Sequence, residues 1–374
     1  MSDLSIVKLV AGGEGLGHAA GKAVFVPGVL PGEKVRVRVV QRRKDFDRAA
    51  LLEVLEPSPH RVPPPCPLAG VCGGCDWLHI RYEEQLAQKV SIVREALLRT
   101  GRIARDAIHI EPSAPLGSRS RAQVHRDGSG LLGYMGAGSN RIVGVDSCPI
   151  VVRPINGVFN GSVRVPESLD RFTVFSNGEY VAAEGIDDDR TLTARVCGRE
   201  VAFSVGCFFQ SNLAVLDSLV PWALEGLVGS TAADLYAGVG LFGSFLSERF
   251  SRIICVESSA MSLSYARRNV AGPAHEFFPM TVEQWITSGA ARGPFDAAVV
   301  DPPRPGLAAE VRAWLCAAAV QRLVYVSCNP VTLARDLGQL CDSAFVLDDF
   351  RLFDFYPQTS HIEAVAKLSR RTGR

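Results

Sequence analysis

One cysteine in this chain stands where its thiol could act as a nucleophile. The stretch "LVYVSCNPVTLARDL" (323–337) begins with an apolar run that predicts a buried strand and has Cys328 at its end. Pro330 follows two residues later and prevents simple continuation of the strand. A structural cysteine is more often buried in mid-strand, as we expect for Cys255. The position of Cys328 therefore favours covalent catalysis.

A glycine-rich stretch, "DLYAGVGLFGSFLSERF" (234–250), follows an apolar strand and opens a helix. Gly238, Gly240 and Gly243 form G-x-G-x-x-G, which lets the backbone approach a ligand and supplies N–H donors. Glu257 ends the next strand, where a carboxylate can accept hydrogen bonds from ribose hydroxyls. The pattern predicts an adenosine-bearing cofactor, although a tight turn that merely needs glycine would look the same.

The stretch "VVDPPRPG" (299–306) narrows the identity of that cofactor. It places Asp301 at the carboxyl end of a further strand, which is the edge of an α/β sheet where ligands bind. A D-P-P stretch at this edge is typical of enzymes that use S-adenosylmethionine (SAM). It is not typical of hydride-transfer enzymes, which would use a dinucleotide.

Glu363 could be the partner of Cys328. If the last strand, beginning at "HIEAV" (361–365), is antiparallel, its start reaches the sheet edge that carries Cys328 and Asp301. A thiol and a carboxylate beside a methyl donor would suit one particular reaction, the methylation of uracil at C5. C5 of uracil is too weak a nucleophile to take a methyl group directly. A thiolate that adds to C6 activates C5, and a base must then remove the C5 proton. Covalent catalysis followed by general-base catalysis fits this pair of residues, unless Glu363 is a surface carboxylate.

Three segments must position these residues. Residues 1–56 contain β-rich runs separated by Pro and Gly turns, and predict a small OB-like barrel. Its valines alternate with Lys34, Arg36 and Arg38, so the bases form either a solvated face or a phosphate-binding one. Residues 57–205 form a β-rich central domain with one helix, at 81–105, that we expect to pack on the catalytic domain. Residues 206–374 alternate strands and helices, which indicates a doubly wound α/β domain.

Composition excludes several classes of protein. The chain has 374 residues, of which 47% are hydrophobic and 21% charged, so it is globular and large enough for two or three domains. The formal net charge of +1 means that any nucleic-acid surface must be local. No signal peptide or membrane-length apolar run is visible, so we expect a cytoplasmic protein. Ten cysteines in such a chain indicate metal binding or catalysis rather than a disulfide framework.

Taken together, the motifs resemble those of the RNA uracil-C5 methyltransferase family over nearly the whole chain. "FFQSN" (208–212), "DLYAGVG", "DPPRPG", "VYVSCNPVTLARDL" and "HIEAVAKLSR" occur in the family's order. The resemblance implies a Rossmann-like SAM-dependent domain behind an N-terminal TRAM barrel that binds RNA. It implies that Cys328 is the nucleophile and Glu363 the base. It implies that Gln210, Tyr236, Glu257 and Asp301 contact SAM, and the glycine-rich loop adds Gly238 and Gly240 to the predicted cofactor site.

The resemblance also covers a group of cysteines. Cys66, Cys72 and Cys75, with the distant Cys148, match the iron–sulfur site of the rRNA-directed branch. As residues alone, they are four soft ligands that zinc would also accept. Zinc sites more often use paired C-x2-C units, so a [4Fe–4S] cluster is the favoured interpretation.

The stretch "SRSRAQVHR" (118–126) alternates basic and amide side chains with apolar ones, which suits contacts with phosphates and a splayed base. The resemblance implies that Arg121 and Gln123 contact RNA. Phe208 or Phe209 could stack on the target uracil, which must leave its base stack to reach the thiol.

The resulting hypothesis is a monomeric enzyme that forms 5-methyluridine in RNA, with 23S rRNA preferred over tRNA and no protein partner implied. One alternative is an amino-directed methyltransferase, which would want an aromatic residue where Arg304 stands and would not need Cys328. Another is an iron–sulfur oxidoreductase with a dinucleotide on the glycine loop. An RNA-binding scaffold would not explain Cys328 and Glu363 together.

Overall fold

The N-terminal segment folds into a closed barrel in this computed structural model, which describes residues 2–371. Five strands close in the order β1-β2-β3-β5-β4. Their bounds are β1 Ser2–Leu9, β2 Gly15–Ala19, β3 Lys22–Val26, β4 Lys34–Arg42 and β5 Phe46–Glu56. Val35 and Val37 of β4 point into the barrel core, as their alternation with basic residues predicted.

The central segment contributes two helices and eight short strands, seven of which form two small sheets. Its elements are α1 Tyr82–Arg99, β6 His109–Glu111, β7 Arg121–Arg126, β8 Leu132–Met135, β9 Ile142–Gly144, a 3-10 turn Arg153–Ile155, α2 Asn156–Phe159, β10 Arg171–Ser176, β11 Val181–Ala183, β12 Leu192–Val196 and β13 Arg199–Phe203. Five of the strands form a sheet in the order β11-β10-β7-β8-β9, and β12 and β13 form a hairpin. This region is β-rich, as the sequence predicted.

The C-terminal segment alternates helices and strands. Its elements are α3 Leu213–Leu224, β14 Gly229–Leu235, α4 Leu241–Leu246, β15 Phe250–Val256, α5 Ala260–Asn269, β16 Glu276–Phe278, α6 Val282–Thr287, β17 Phe295–Val300, α7 Ala309–Ala317, β18 Val320–Ser327, α8 Pro330–Ser343, β19 Phe345–Phe353 and β20 Glu363–Arg370. They build an eight-stranded sheet in the order β16-β15-β14-β17-β18-β20-β19-β6. The strands from β14 to β18 are parallel, as expected for a doubly wound domain.

The last two strands form an antiparallel pair, and β20 inserts between β18 and β19. The edge strand of the sheet on this side is β6 from the central segment, which pairs parallel to β19. The helix α1 also packs on this sheet, where Ile92, Val93 and Leu97 share a buried cluster with Leu333 and Leu337 of α8. Two elements that precede the catalytic segment in sequence are thus built into it.

The order of the sheet reverses at β14, because the chain proceeds outward to β15 and β16 and then returns to β17 on the other side. A crevice opens at the carboxyl ends of the strands at such a reversal, and it is where ligands bind in α/β sheets. In residues 2–371, no helix is long and apolar enough to cross a membrane.

Candidate active site

The glycine-rich loop lies at the carboxyl end of β14 and leads into α4. Gly240 has a φ of +79°, which favours glycine, and a Cβ there would lie 2.9 Å from the Val270 side chain. The Oδ2 atom of Asp234, at the end of β14, accepts a hydrogen bond from the backbone N–H of Gly243 at 2.7 Å. Asp234 thereby ties the loop to the sheet. No pattern in the sequence predicted this hydrogen bond, since Asp234 was considered only as the first residue of the motif "DLYAGVG".

Glu257 follows β15 and closes the loop from the other side. Its Oε2 accepts from the backbone N–H of Gly238 at 3.0 Å, and its Oε1 accepts from that of Ser259 at 2.7 Å. A carboxylate oxygen can accept more than one hydrogen bond, so ribose hydroxyls could share this acceptor.

The crevice forms one open pocket of about 870 Å³. It brings together most of the residues that the sequence singled out: Phe208, Gln210, Tyr236, Gly238, Glu257, Asp301, Cys328 and Glu363. Gly240 lies next to the pocket at the start of α4 rather than in its wall.

Cys328 and Glu363 are brought side by side by strand register. β18 ends at Ser327, which pairs with Ala364 of the antiparallel β20, so the next position on each strand places Cys328 beside Glu363. After Cys328 the chain turns into α8, where the Oδ1 atom of Asn329 accepts from two backbone N–H groups of the first turn, and Pro330 occupies the first helical position. The proline that ends the strand therefore starts the helix.

The charges around the thiol act in opposite directions. Burial raises the pKa of Cys328, and the neighbouring carboxylates of Glu363 and Asp301 raise it further, whereas the Arg304 guanidinium lowers it. Burial, together with Asp301, holds the pKa of Glu363 well above its usual range. A carboxylate with a raised pKa is a stronger base, which suits proton removal from carbon.

Asp301 lies directly after β17, and its backbone N–H donates to the carbonyl of Leu235 at 3.4 Å. Burial raises its pKa to about 7. A cationic ligand in the pocket would favour its ionised form.

Three further side chains in the pocket were not assigned from the sequence. The Arg304 guanidinium lies 3.2 Å from Nδ1 of His361, and the rings of His361 and Tyr356 meet edge to face at 5.6 Å. Arg304 can only donate, so Nδ1 is the acceptor. Burial and the Arg304 charge lower the pKa of His361, which keeps the ring neutral. In the sequence, the only signal for a role of these three residues is that they lie in or near the motifs "DPPRPG" and "HIEAVAKLSR".

The two adjacent phenylalanines have different environments. Phe209 is buried and stacks on Phe203 with ring centroids 4.3 Å apart, so it belongs to the core. Both phenylalanines line the pocket, but Phe208 is 64% exposed, so it is the ring that is free to meet a base. The Oε1 atom of the adjacent Gln210 is buried without a hydrogen-bond partner, as expected of a group that awaits a ligand.

The four cysteines of the central segment, Cys66, Cys72, Cys75 and Cys148, line a single small cavity that is separate from this pocket. In the part of the chain that the structure describes, no three His, Cys, Asp or Glu side chains are arranged to hold a metal ion. Tyr134 also lines this cavity, and its hydroxyl is buried without a hydrogen-bond partner. Arg119 lies in the same wall. The donor set of four thiols, an orphaned hydroxyl and one cation fits an anionic sulfur-rich group.

The side chains predicted to contact RNA differ in exposure. Gln123 of β7 is exposed, whereas Arg121 is half-buried and donates to the carbonyl of Val205 at 3.1 Å. Burial lowers the pKa of Arg121. Val205, which follows the β12–β13 hairpin, is thus one hydrogen-bond partner of Arg121.

On the barrel, the predicted basic face is partly neutralised. Arg36 pairs with Asp3 and Glu53, and Lys34 pairs with Glu56. Three further bases, Arg38, Arg43 and Lys44, are exposed and have no acidic partner among residues 2–371. The unpaired positive charge of β4 therefore concentrates toward its hairpin end.

Comparison with known proteins places these features in context. A model of the tRNA (Uracil-5-)-methyltransferase family matches residues 292–371, and a model of the TRAM domain matches residues 3–52. The chain is 32% identical to an uncharacterized RNA methyltransferase of Treponema denticola, over 92% of this chain and 93% of that protein. It is 30% identical to the 23S rRNA (uracil(1939)-C(5))-methyltransferase RlmD of Pseudomonas fluorescens, over 97% of this chain and 93% of that protein.

Among solved structures, the tRNA (uracil-54, C5)-methyltransferase of Pyrococcus abyssi in complex with S-adenosyl-L-homocysteine superimposes with a TM-score of 0.74. The match covers 98% of this chain and all of the other, at 23% identity. It shows that the two chains share a fold, from the barrel through the last strand.

Proposed function

This chain belongs to the family of SAM-dependent RNA uracil-C5 methyltransferases, and from that premise we propose that it methylates C5 of a uridine in 23S rRNA through a covalent adduct on Cys328. One observation carries the proposal: a thiol and a buried carboxyl lie side by side at the sheet edge, in the pocket that also contains the glycine loop. Membership of the family removes the oxidoreductase and amino-directed alternatives.

The cofactor would be held by residues on both sides of the crevice. Gln210, Tyr236, Glu257 and Asp301 line the pocket and supply the polar groups that adenosine and a cationic methionine moiety require. The orphaned Oε1 atom of Gln210 supports this assignment. When bound, SAM supplies an electrophilic methyl group at its sulfonium.

In the chemical steps, the Cys328 sulfur forms a bond to C6 of the uracil, and the electron pair of the C5–C6 double bond moves toward C5 and O4. C5 can then accept the methyl group. Glu363 next removes the C5 proton, the C5–C6 double bond forms again, and the C6–sulfur bond breaks to free Cys328. The Cys328 sulfur reacts as the thiolate and leaves as the thiolate, so Glu363 has one proton to accept in each turnover, that of C5, and it releases this proton to solvent afterwards.

Ribosomal RNA is the proposed substrate because relatives that span nearly all of this chain are named for 23S rRNA. Exposed bases of the barrel and Gln123 would contact phosphates and unpaired bases, and Phe208 would stack on the target uracil. Arg121 is proposed as an RNA contact through donors not used by Val205. The enzyme would work in the cytoplasm as a monomer.

We further propose that Cys66, Cys72, Cys75 and Cys148 hold a [4Fe–4S] cluster. Their position around one shared cavity, with the unpaired Tyr134 hydroxyl and Arg119, supports this assignment. A zinc ion would draw its ligands within about 2.3 Å of a single centre, whereas a cluster spreads four thiolates over four irons. The cluster would pin the cysteine loop beside the RNA surface.

The experiment is to map 5-methyluridine in 23S rRNA and tRNA from cells with and without the gene, and then to repeat the reaction with purified protein. Cys328→Ala should abolish methylation without weakening SAM binding, because the thiol serves the base and not the cofactor. Loss of a tRNA modification instead would identify tRNA as the substrate. A Cys328→Ala variant with near wild-type turnover would contradict the mechanism.

Glu363→Gln should behave differently from Cys328→Ala. It should still permit attack and methyl transfer, so a methylated RNA–protein adduct should accumulate and survive denaturing electrophoresis. Turnover should fall by about 10² to 10⁴, the range expected for loss of a general base.

A further inference from the structure

Three polar side chains of α1 face the protein interior. Tyr82, Gln85 and Lys89 are three and four residues apart, so they lie on one face of the helix. Gln85 and Lys89 are both fully buried. Burying an amide and an ammonium group is costly unless each is hydrogen-bonded, so the partners of these residues matter.

All three bind the same segment, residues 354–361, which makes up most of the connection between β19 and β20. Lys89 Nζ donates to Oδ1 of Asp354 at 2.5 Å and to the carbonyl oxygen of Tyr356 at 2.9 Å. The Tyr82 hydroxyl donates to the other oxygen of Asp354 at 2.8 Å. Helix α1 thus holds the start of the segment through the side chain of Asp354 and the backbone of Tyr356.

Gln85 holds the middle of the segment. Its Nε2 donates to Oε1 of Gln358 at 2.9 Å, and its Oε1 accepts from the backbone N–H of Gln358 at 2.8 Å. Gln358 has a φ of +65°, a conformation that non-glycine residues rarely adopt. Its carbonyl oxygen accepts from the backbone N–H of Trp77, so the strained residue is fixed on several sides.

The segment carries part of the pocket wall. Tyr356 and His361 line the pocket beside Cys328, and Glu363 begins the strand that follows. The position of the segment therefore decides where this wall stands relative to the reacting atoms.

Stability alone does not account for the buried ion pair of Lys89 and Asp354. An apolar pair of similar volume is often as stabilising as a buried ion pair, or more so. An apolar side chain at position 89 could not, however, donate to the carbonyl of Tyr356. That second hydrogen bond is the one that reaches the pocket wall.

We propose that Lys89, with Gln85 on the same helix face, is a positioning residue for the reaction. It holds residues 354–361 so that the Tyr356 and His361 side chains confine the target uracil against Cys328. The inference rests on the proposed function and assigns α1, far from the catalytic motifs in sequence, to the assembly of the site.

The test uses two variants that separate positioning from stability. Lys89→Met leaves the Asp354 carboxylate buried without its cation, so both stability and activity should fall. In the double variant Lys89→Met/Asp354→Asn no buried charge remains, and the asparagine oxygen can still accept from Tyr82. Its urea unfolding midpoint should return toward that of the wild type, but the donor to the Tyr356 carbonyl is still missing.

The main measurement is the rate at which each variant forms the covalent adduct with RNA that carries 5-fluorouridine at the target. The double variant should form the adduct at least about tenfold more slowly than the wild type, because a misplacement of about 1 Å can cost up to about 100-fold. The dissociation constant for SAM should stay within about twofold, since the segment faces the base. Adduct formation at the wild-type rate in the double variant would overturn the proposal.

Two further variants cover the case in which the double variant does not regain stability. Gln358→Gly keeps the left-handed backbone without strain and removes the amide pair with Gln85, so the same slow adduct formation is expected. Ile92→Val, on the same helix, loses packing without touching the segment and should form the adduct at the wild-type rate. A wild-type rate in Gln358→Gly would contradict the inference. Lack of any methylated uridine with wild-type protein would instead refute the proposed function.

Discussion

The carboxyl group of Asp301 should make SAM binding depend on pH. Burial raises its pKa to about 7, and the ligand carries a positive sulfonium that favours the ionised carboxylate. Below pH 7 the group is mostly protonated in the free enzyme, so binding must release a proton. The dissociation constant should therefore rise as the pH falls.

The size of the effect follows from the ionised fraction of Asp301. With a pKa of about 7, the group is about 50% ionised at pH 7.0 and about 3% ionised at pH 5.5. The dissociation constant should thus increase by at most about 16-fold over this interval, which corresponds to about 1.6 kcal/mol. The α-amino group of the ligand, with an ordinary pKa of about 7.7 to 8.0, stays mostly protonated throughout.

Isothermal titration calorimetry at pH 5.5, 6.0, 6.5 and 7.0 measures this dependence, and repeating it in buffers of different ionisation enthalpy counts the protons released. Asp301→Asn should bind weakly and with little dependence on pH. Glu363→Gln should keep the wild-type slope, because the carboxyl group whose ionisation is linked to SAM binding is that of Asp301. A wild-type dissociation constant that is the same at pH 5.5 and 7.0 would refute the reasoning, as would an unchanged slope in Asp301→Asn.

Three other predictions concern the barrel, the cysteine cavity and the helix interface. Replacing Arg38, Arg43 and Lys44 by Gln should weaken RNA binding and leave the affinity for SAM unchanged. The slope of log affinity against log salt should fall by about 0.7 for each phosphate that the barrel no longer neutralises. An unchanged slope in filter binding would exclude these bases from binding phosphate. Protein purified without oxygen should contain about four irons per chain, and stoichiometric zinc without iron would contradict the assignment. Tyr134→Phe should make the cluster harder to reduce, because a hydrogen bond to sulfur raises the reduction potential. A potentiometric titration followed by electron paramagnetic resonance measures this potential. Leu97→Ala should cost about 2 to 5 kcal/mol in urea unfolding because the side chain is buried against the catalytic segment, and a separate early transition for α1 would argue against one cooperative unit.

Much of the catalytic segment could be predicted because its signals are local. The apolar runs that became β14, β15, β17 and β18 are short and continuous, and turn or helix signals follow them. The position of Cys328 followed from the end of one such run. The closeness of Glu363 required only one assumption, that the last strand is antiparallel, and the register of Ser327 with Ala364 confirms that orientation.

Features that depend on distant contacts could not be predicted in this way. The strand β6 has only three residues, His109–Glu111, and exists because the edge of β19 is available to pair with it. The ion pairs of Arg36 depend on which acids lie opposite it on neighbouring strands, which no periodicity reveals. The partners of Lys89 likewise lie far along the chain.

The placement of α1 and β6 within the catalytic sheet also sets the order in which the chain can mature on the ribosome. Lys89 and its partner Asp354 are separated by 265 positions, so at a synthesis rate of about 5 to 20 residues per second the helix waits about 13 to 53 seconds for its partner to be made. Throughout that time its apolar face and its ammonium group have no native site. The nascent chain therefore offers a long-lived binding surface to holding chaperones. A gene fragment encoding residues 206–374 alone would yield a sheet with an uncovered β19 edge and a tendency to aggregate.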